Sequence, residues 1–242
     1  MKIKQVIKLF LTSVVFLVGT SFSAQASPPS GYTWNLVASD DFNSLNGSTW
    51  GYGSTGWGTE AQSSCCLIPS ADTYVSGGSL VLRSRLGPFT GASGKTYKYS
   101  SGWAWTKTRR TYGYIEIRAQ YPNNTGAWPA FWMLASGWPP EIDCAEFRGP
   151  PKGYMTMAYY NGSWSTTTRS GTYTSWHTYG LQWEKTFLKW YIDGTLVKTY
   201  TGTTPSVAMY VILSNGTDCS QSDASGFPNY YNVDYFRWYQ HN

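Results

Sequence analysis

From Tyr112 to Gln120 the chain alternates without a break. Tyr112, Tyr114, Glu116, Arg118 and Gln120 fall on one side, and Gly113, Ile115, Ile117 and Ala119 on the other. A period of 2 belongs to a strand, whose successive side chains face opposite sides of a sheet. Shorter segments of the same kind recur, broken by Gly, Pro, Asn and Ser, and no long amphipathic helical period appears beyond residue 26. The pattern predicts an all-β sandwich. Leu80-Val81-Leu82 follows Gly77-Gly78-Ser79, and Trp176 to Trp183 alternates. Leu188 to Ile192 precedes a hairpin turn at Asp193-Gly194. Val207 to Ser214 reads as a central strand and Val233 to Tyr239 as a closing one. The aliphatic side of 112–120 belongs in the core; its phenols, carboxylate and guanidinium suit the wall of a cleft.

Within this frame, Glu141-Ile142-Asp143-Cys144-Ala145-Glu146 crowds three carboxylates into six residues of a chain that is only 13% charged. Like charges held close together disfavour ionisation and raise the pKa of at least one member. Such a cluster adds nothing to stability. It points to a site that needs one carboxylate ionised and another protonated, as cleavage of a glycosidic bond does. On a strand Glu141 and Asp143 share a face, whereas Glu146 has the wrong parity. One extra residue at Cys144 or Ala145, a β-bulge, returns it to that face. A metal site or a solvated acidic edge is the plainer alternative, and the interleaved Ile, Cys, Ala and Phe argue against an exposed edge.

Residues 1–26 read as a secretory signal: Lys2, Lys4 and Lys8, an apolar run from Leu9 to Val18, then Ala24-Gln25-Ala26. The run is short for a membrane span, so no membrane partner is expected. A single domain over 27–242 is expected, exported and monomeric. Without the three leader lysines, 15 basic residues face 13 acidic ones, which gives no reason to expect nucleic acid. Aromatic residues are abundant instead: 13 Trp, 20 Tyr and 10 Phe. Flat rings stack on the C–H faces of sugars, so a polysaccharide partner fits. Export permits disulfides. The neighbours Cys65 and Cys66 pair poorly with each other, and a bridge from one of them to Cys219 would link two loops. Cys144 is expected to pack as a small apolar residue. No Cys/His spacing resembles a zinc site.

Five ordered blocks resemble glycoside hydrolase family 16. They are Tyr112-Gly-Tyr-Ile-Glu-Ile-Arg, Trp128-Pro-Ala-Phe-Trp-Met-Leu, Glu141-Ile-Asp-Cys-Ala-Glu, Trp176 to Trp183 with Trp190-Tyr-Ile-Asp-Gly, and Val233 to Tyr239. The resemblance implies a jelly-roll β-sandwich of two antiparallel sheets with a concave cleft. It implies a retaining double displacement with Glu141 as nucleophile, Glu146 as acid/base, and Asp143 tuning both; no cofactor takes part. Glu116, Arg118, Trp128, Trp132, Trp183 and Asn215 match cleft positions, and Trp57 with Glu60 and Gln62 resembles a cleft-loop segment of the β-1,3-glucanase branch. His177 reads as a supporting residue outside the chemistry. Asp41, Gly78 and Asp234 match the places of a structural calcium in some relatives.

The resemblance leads to an endo-hydrolase of β-1,3- or β-1,3-1,4-glucan. A galactan-directed enzyme of agarase, carrageenase or β-1,3-galactanase type is the main rival, because Pro139-Pro140, Cys144 and Phe147-Arg148-Gly149-Pro150 depart from the common laminarinase pattern. A non-catalytic β-glucan-binding protein is the alternative of another class. The presence of all three carboxylates weighs against it.

Overall fold

The computed structural model describes residues 27–54, 60–148, 152–158, 163–220 and 224–242. Among them lie eighteen strands, β1 to β18 in chain order, in two sheets. The smaller sheet holds β2 (Trp50–Tyr52), β8 (Trp103–Thr106), β10 (Ala127–Leu134), β11 (Glu141–Phe147), β12 (Lys152–Ala158), β13 (Trp164–Ser170) and β17 (Tyr210–Thr217). Across it they run β13-β12-β11-β10-β17-β8-β2.

The larger sheet holds β1 (Asn35–Asp40), β3 (Ala61–Ser63), β4 (Cys66–Leu67), β5 (Thr73–Ser76), β6 (Ser79–Thr90) and β7 (Thr96–Ser101). It continues with β9 (Gly113–Gln120), β14 (His177–Trp183), β15 (Phe187–Ile192), β16 (Thr195–Thr201) and β18 (Asn229–Gln240). Its main path is β16-β15-β14-β9-β18-β6-β7-β4-β3, with β1 on β18 and β5 on β6. All pairs are antiparallel except β4 with β7. The expected all-β sandwich is therefore the observed fold.

Alternation decides what fills the space between the sheets. Ile115, Ile117 and Ala119 of β9 meet Phe131 and Met133 of β10, Ile142 of β11, and Val211 and Leu213 of β17 in one buried cluster. Each such side chain contributes roughly 1.5–3 kcal/mol on full burial. Two tight hairpins fit the expected turns. Gly77 and Gly78 take φ of 60° and 74°, and Asp193 and Gly194 take 48° and 71°. Left-handed backbone at both central positions matches the right-handed twist of the flanking strands. The strand expected from Val207 instead spans Tyr210–Thr217: Val207 is exposed, and pairing continues through Asn215-Gly216.

Candidate active site

The three carboxylates lie on β11, and their facing is set by pairing with β10. Leu134 stands opposite Glu141, Trp132 opposite Asp143 and Ala130 opposite Glu146, while β11 carries one residue more between the last two pairs. The same shift appears against β12 on the other side. The expected bulge is thus present at Cys144-Ala145. Both residues turn into the core, as do Ile142 and Phe147. Two consecutive side chains on one side must be small to fit, which Cys and Ala are. Glu141, Asp143 and Glu146 all emerge on the opposite face. From the other sheet, Trp190 Nε1 donates to the Asp143 carbonyl at 2.9 Å and pins the bulge from below.

Crowding and burial then act on the carboxyls. Burial pushes Asp143 well above the usual carboxylate range, and the charges of Glu141 and Glu146 add to this. Asp143 is therefore the protonated member and donates to Glu141. Burial also raises Glu141, and so does the Glu146 charge; bonds from Asp143 and Trp138 pull it back. Glu146 accepts from Trp128 Nε1 and from Arg148 Nε, the latter at 3.1 Å. Burial pushes the Cys144 thiol up, so it is an inert core group.

The acids divide a cleft into two halves. One, of about 400 Å³, is lined by Trp128, Arg148, Trp164 and Thr166 beside the three carboxylates. The other, about 210 Å³, is lined by Gln62, Trp103, Trp128, Ala130, Trp132 and Ser214. Trp132 donates to Ser214 Oγ at 3.2 Å and meets Trp103 edge-on. The result is an acidic centre flanked by indole faces, suited to holding a sugar chain across a pair of carboxylates.

A model of the glycosyl hydrolases family 16 matches residues 71–236. The chain belongs to this family. It is 30% identical over 224 residues to a β-glucanase of Rhodothermus marinus, covering 81% of this chain and 76% of that one. It is 33% identical over 111 residues to the endo-1,3-1,4-β-glycanase ExsH of Rhizobium meliloti, covering 42% of this chain. That match spans about a quarter of the relative's length. The catalytic domain of a laminarinase from Thermotoga petrophila superposes with a TM-score of 0.74 at 25% identity, covering 88% of this chain and all of that one.

The family 16 fold places several expected cleft residues elsewhere. Trp128 and Trp132 do line the cleft, and Trp57 lies outside the described residues. Glu116 and Arg118 do not, because β9 belongs to the larger sheet and its polar face points away from the cleft sheet. There Glu116 is buried and accepts from Tyr114 and Tyr235 at 2.5 and 2.6 Å, and Arg118 pairs with Asp234 at 2.7 Å. Trp183 is fully buried in the core and donates to Pro205 O. Asn215 has the wrong parity on β17: its amide binds Leu82 O and Asn229 Oδ1 inside the sandwich, and its neighbour Ser214 faces the cleft. Glu60 accepts from Ser93 and Tyr97 and holds the β6–β7 turn, leaving Gln62 as the cleft residue of that segment.

Cys65 bridges to Cys219, Cys66 is buried and unbridged, and His177 bonds Asp193 away from the cleft. At the positions expected for calcium, the Asp41 side chain pairs with Arg237, Asp234 pairs with Arg118, and Gly78 lies in a hairpin turn. Trp103, Trp138, Trp164 and Thr166 join the site without a sequence signal, and Arg148, part of the divergent Phe147-Arg148-Gly149-Pro150 segment, joins it as a cleft residue. Arg148 was within reach of the same parity rule, since it stands two residues beyond Glu146.

Proposed function

We propose that this chain is an exported endo-hydrolase of β-1,3- or β-1,3-1,4-glucan that works with retention, as family 16 glycoside hydrolases do. One observation carries the reading: three carboxylates brought to one strand face by a bulge, in the middle of a tryptophan-lined cleft. Glu141, ionised, attacks the anomeric carbon while Glu146 gives its proton to the leaving oxygen. The bond to the leaving sugar breaks and a glycosyl ester of Glu141 forms. Glu146, now a carboxylate, takes a proton from water, and that water displaces Glu141 with a second inversion. Asp143 keeps its proton and holds Glu141 oriented by donating to it. Trp128 orients Glu146.

All three acids come from one strand of one chain, so the site needs no residue from a second copy, which supports a monomeric enzyme. The Cys65–Cys219 bridge supports export to an oxidising compartment. No metal enters any step.

Incubation with laminarin and lichenan, followed by product sizing and anomeric analysis, tests the proposal. Short oligomers with retained configuration are expected. Glu141→Gln should lower turnover at least about 10³-fold with binding kept, since the covalent step loses its nucleophile. Inverted products, or unchanged turnover in the variant, would sink the mechanism; galacto-oligomers from agarose or β-1,3-galactan with none from glucan would replace the substrate.

A further inference from the structure

The two halves of the cleft differ in charge. Beyond the shared carboxylates and Trp128, one half offers an amide, a hydroxyl and indoles from Gln62, Ser214, Trp103 and Trp132; the other adds a cation, Arg148. That side chain is half exposed. Its Nε donates to Glu146 at 3.1 Å, and its guanidinium carbon lies 3.7 Å from the centre of the Trp128 ring. These two contacts hold the guanidinium beside Glu146 and over the Trp128 ring. Among the described residues neither terminal nitrogen has a hydrogen-bond partner, and Arg148 lines the larger half of the cleft.

We propose that Arg148 reads an anionic substituent, a carboxylate or a sulfate or phosphate ester, on the sugar that lies on its side of the scissile bond. The inference rests on the endo-glycanase reading above and adds to it an anionic substituent on the glucan backbone. A planar guanidinium offers parallel N–H bonds that match the two oxygens of such a group. Because the side chain is already held by Glu146 and Trp128, little conformational freedom remains to be lost when the anion binds. The charge argument points the same way. The acidic centre, with Glu141 ionised, repels an anion brought to it, and among the described lining residues a cation stands in the larger half alone, where it lowers that cost. A neutral sugar needs no such asymmetry, since indole faces and hydroxyl partners serve it on both sides.

The test compares neutral lichenan with carboxymethylated and sulfated lichenan of low substitution, using the whole chain, Arg148→Gln and Arg148→Lys. The readout is the ratio of kcat/KM on charged chains to that on the neutral chain, which cancels any effect Arg148 has on both through Glu146. Arg148→Gln should lower this ratio about ten- to hundredfold, the range of a bond to a charged group. Arg148→Lys should fall between, as a point charge without the fork. The products of the parent enzyme should carry the charged sugar at one terminus and not the other.

An unchanged ratio in Arg148→Gln overturns the proposal and leaves Arg148 as a partner of Glu146 alone, as does exclusion of charged chains by the parent. A difference between the carboxymethyl and sulfate arms identifies which anion is read. Binding of charged and neutral oligosaccharides to Glu141→Gln, with and without Arg148→Gln, gives the same contrast without turnover. Failure of the hydrolase reading is thereby distinguished from failure of this one.

Discussion

Asp143 sits inside the carboxylate cluster at 5% exposure and donates a hydrogen bond to Glu141 while keeping its proton. Its part is therefore that of a hydrogen-bond donor, and its charge plays none while Glu141 titrates. The sign of a substitution follows. Burial holds Glu141 above the usual carboxylate range, so activity that needs it ionised rises through a pKa displaced upward. Asp143→Ala removes a bond that favours the ionised form, and the acid limb of kcat/KM should move to higher pH. Asp143→Asn keeps an N–H donor and should leave the limb closer to the parent's. A limb moving to lower pH in the alanine variant would mean that Asp143 acts as an anion and would overturn this assignment; a pH–rate profile of the three proteins decides it.

At the scale of the strand, β11 could be read closely because parity is a local property. Two like-facing acids, a third out of phase, and a pair of small residues between them specify a bulge before any partner strand is known. Removing one bulge residue sharpens the point. Deleting Ala145 leaves Glu-Ile-Asp-Cys-Glu, in which period 2 alone puts all three acids on one face. The core loses one methyl group, and Glu146 moves along the strand by a fraction of its 3.3 Å rise, roughly. The deletion should therefore keep the fold and a measurable turnover. Glu146→Ala, which leaves the strand intact, should lose the roughly 10²–10⁴-fold that a general acid/base contributes. Comparing the two by circular dichroism and laminarin hydrolysis checks the argument, and a deletion variant more impaired than Glu146→Ala would refute it. What parity could not give was the sheet. Residues 112–120 alternate as cleanly as 141–147, yet β9 lies in the larger sheet and its polar face turns away from the substrate side. Asn215 and Ser214 show the same limit, one residue of phase deciding which of them reaches the cleft.

Over the whole molecule, acids held above their ordinary range occur on both sheets. Glu141 and Asp143 lie on the cleft side, and Glu116 lies on the outer face of the larger sheet beneath Tyr114 and Tyr235. Burial is the largest cause for each. The sequence displayed Glu116 plainly but not its surroundings, because β18 brings Tyr235 to it across 119 residues. A carboxyl whose pKa is raised by folding binds its proton more tightly in the native chain than in the unfolded one. Stability from such a group is fully present below the unfolded value, near 4, and is lost as pH rises through the folded value. The midpoint of thermal unfolding should therefore fall as pH is raised above that value. Glu116→Gln isolates the outer contribution: the amide carries no charge to desolvate, and each tyrosine hydroxyl can bond either its oxygen or its nitrogen. The variant should unfold at a higher temperature than the parent at pH 8 and at nearly the same temperature at pH 4, flattening the dependence, with hydrolysis untouched because the residue lies on the sheet away from the cleft. Thermal melts of both proteins between pH 4 and pH 8 measure this. Parallel curves would show that the Glu116 proton is held no more tightly in the fold than outside it, and that the two tyrosine bonds fully offset its burial.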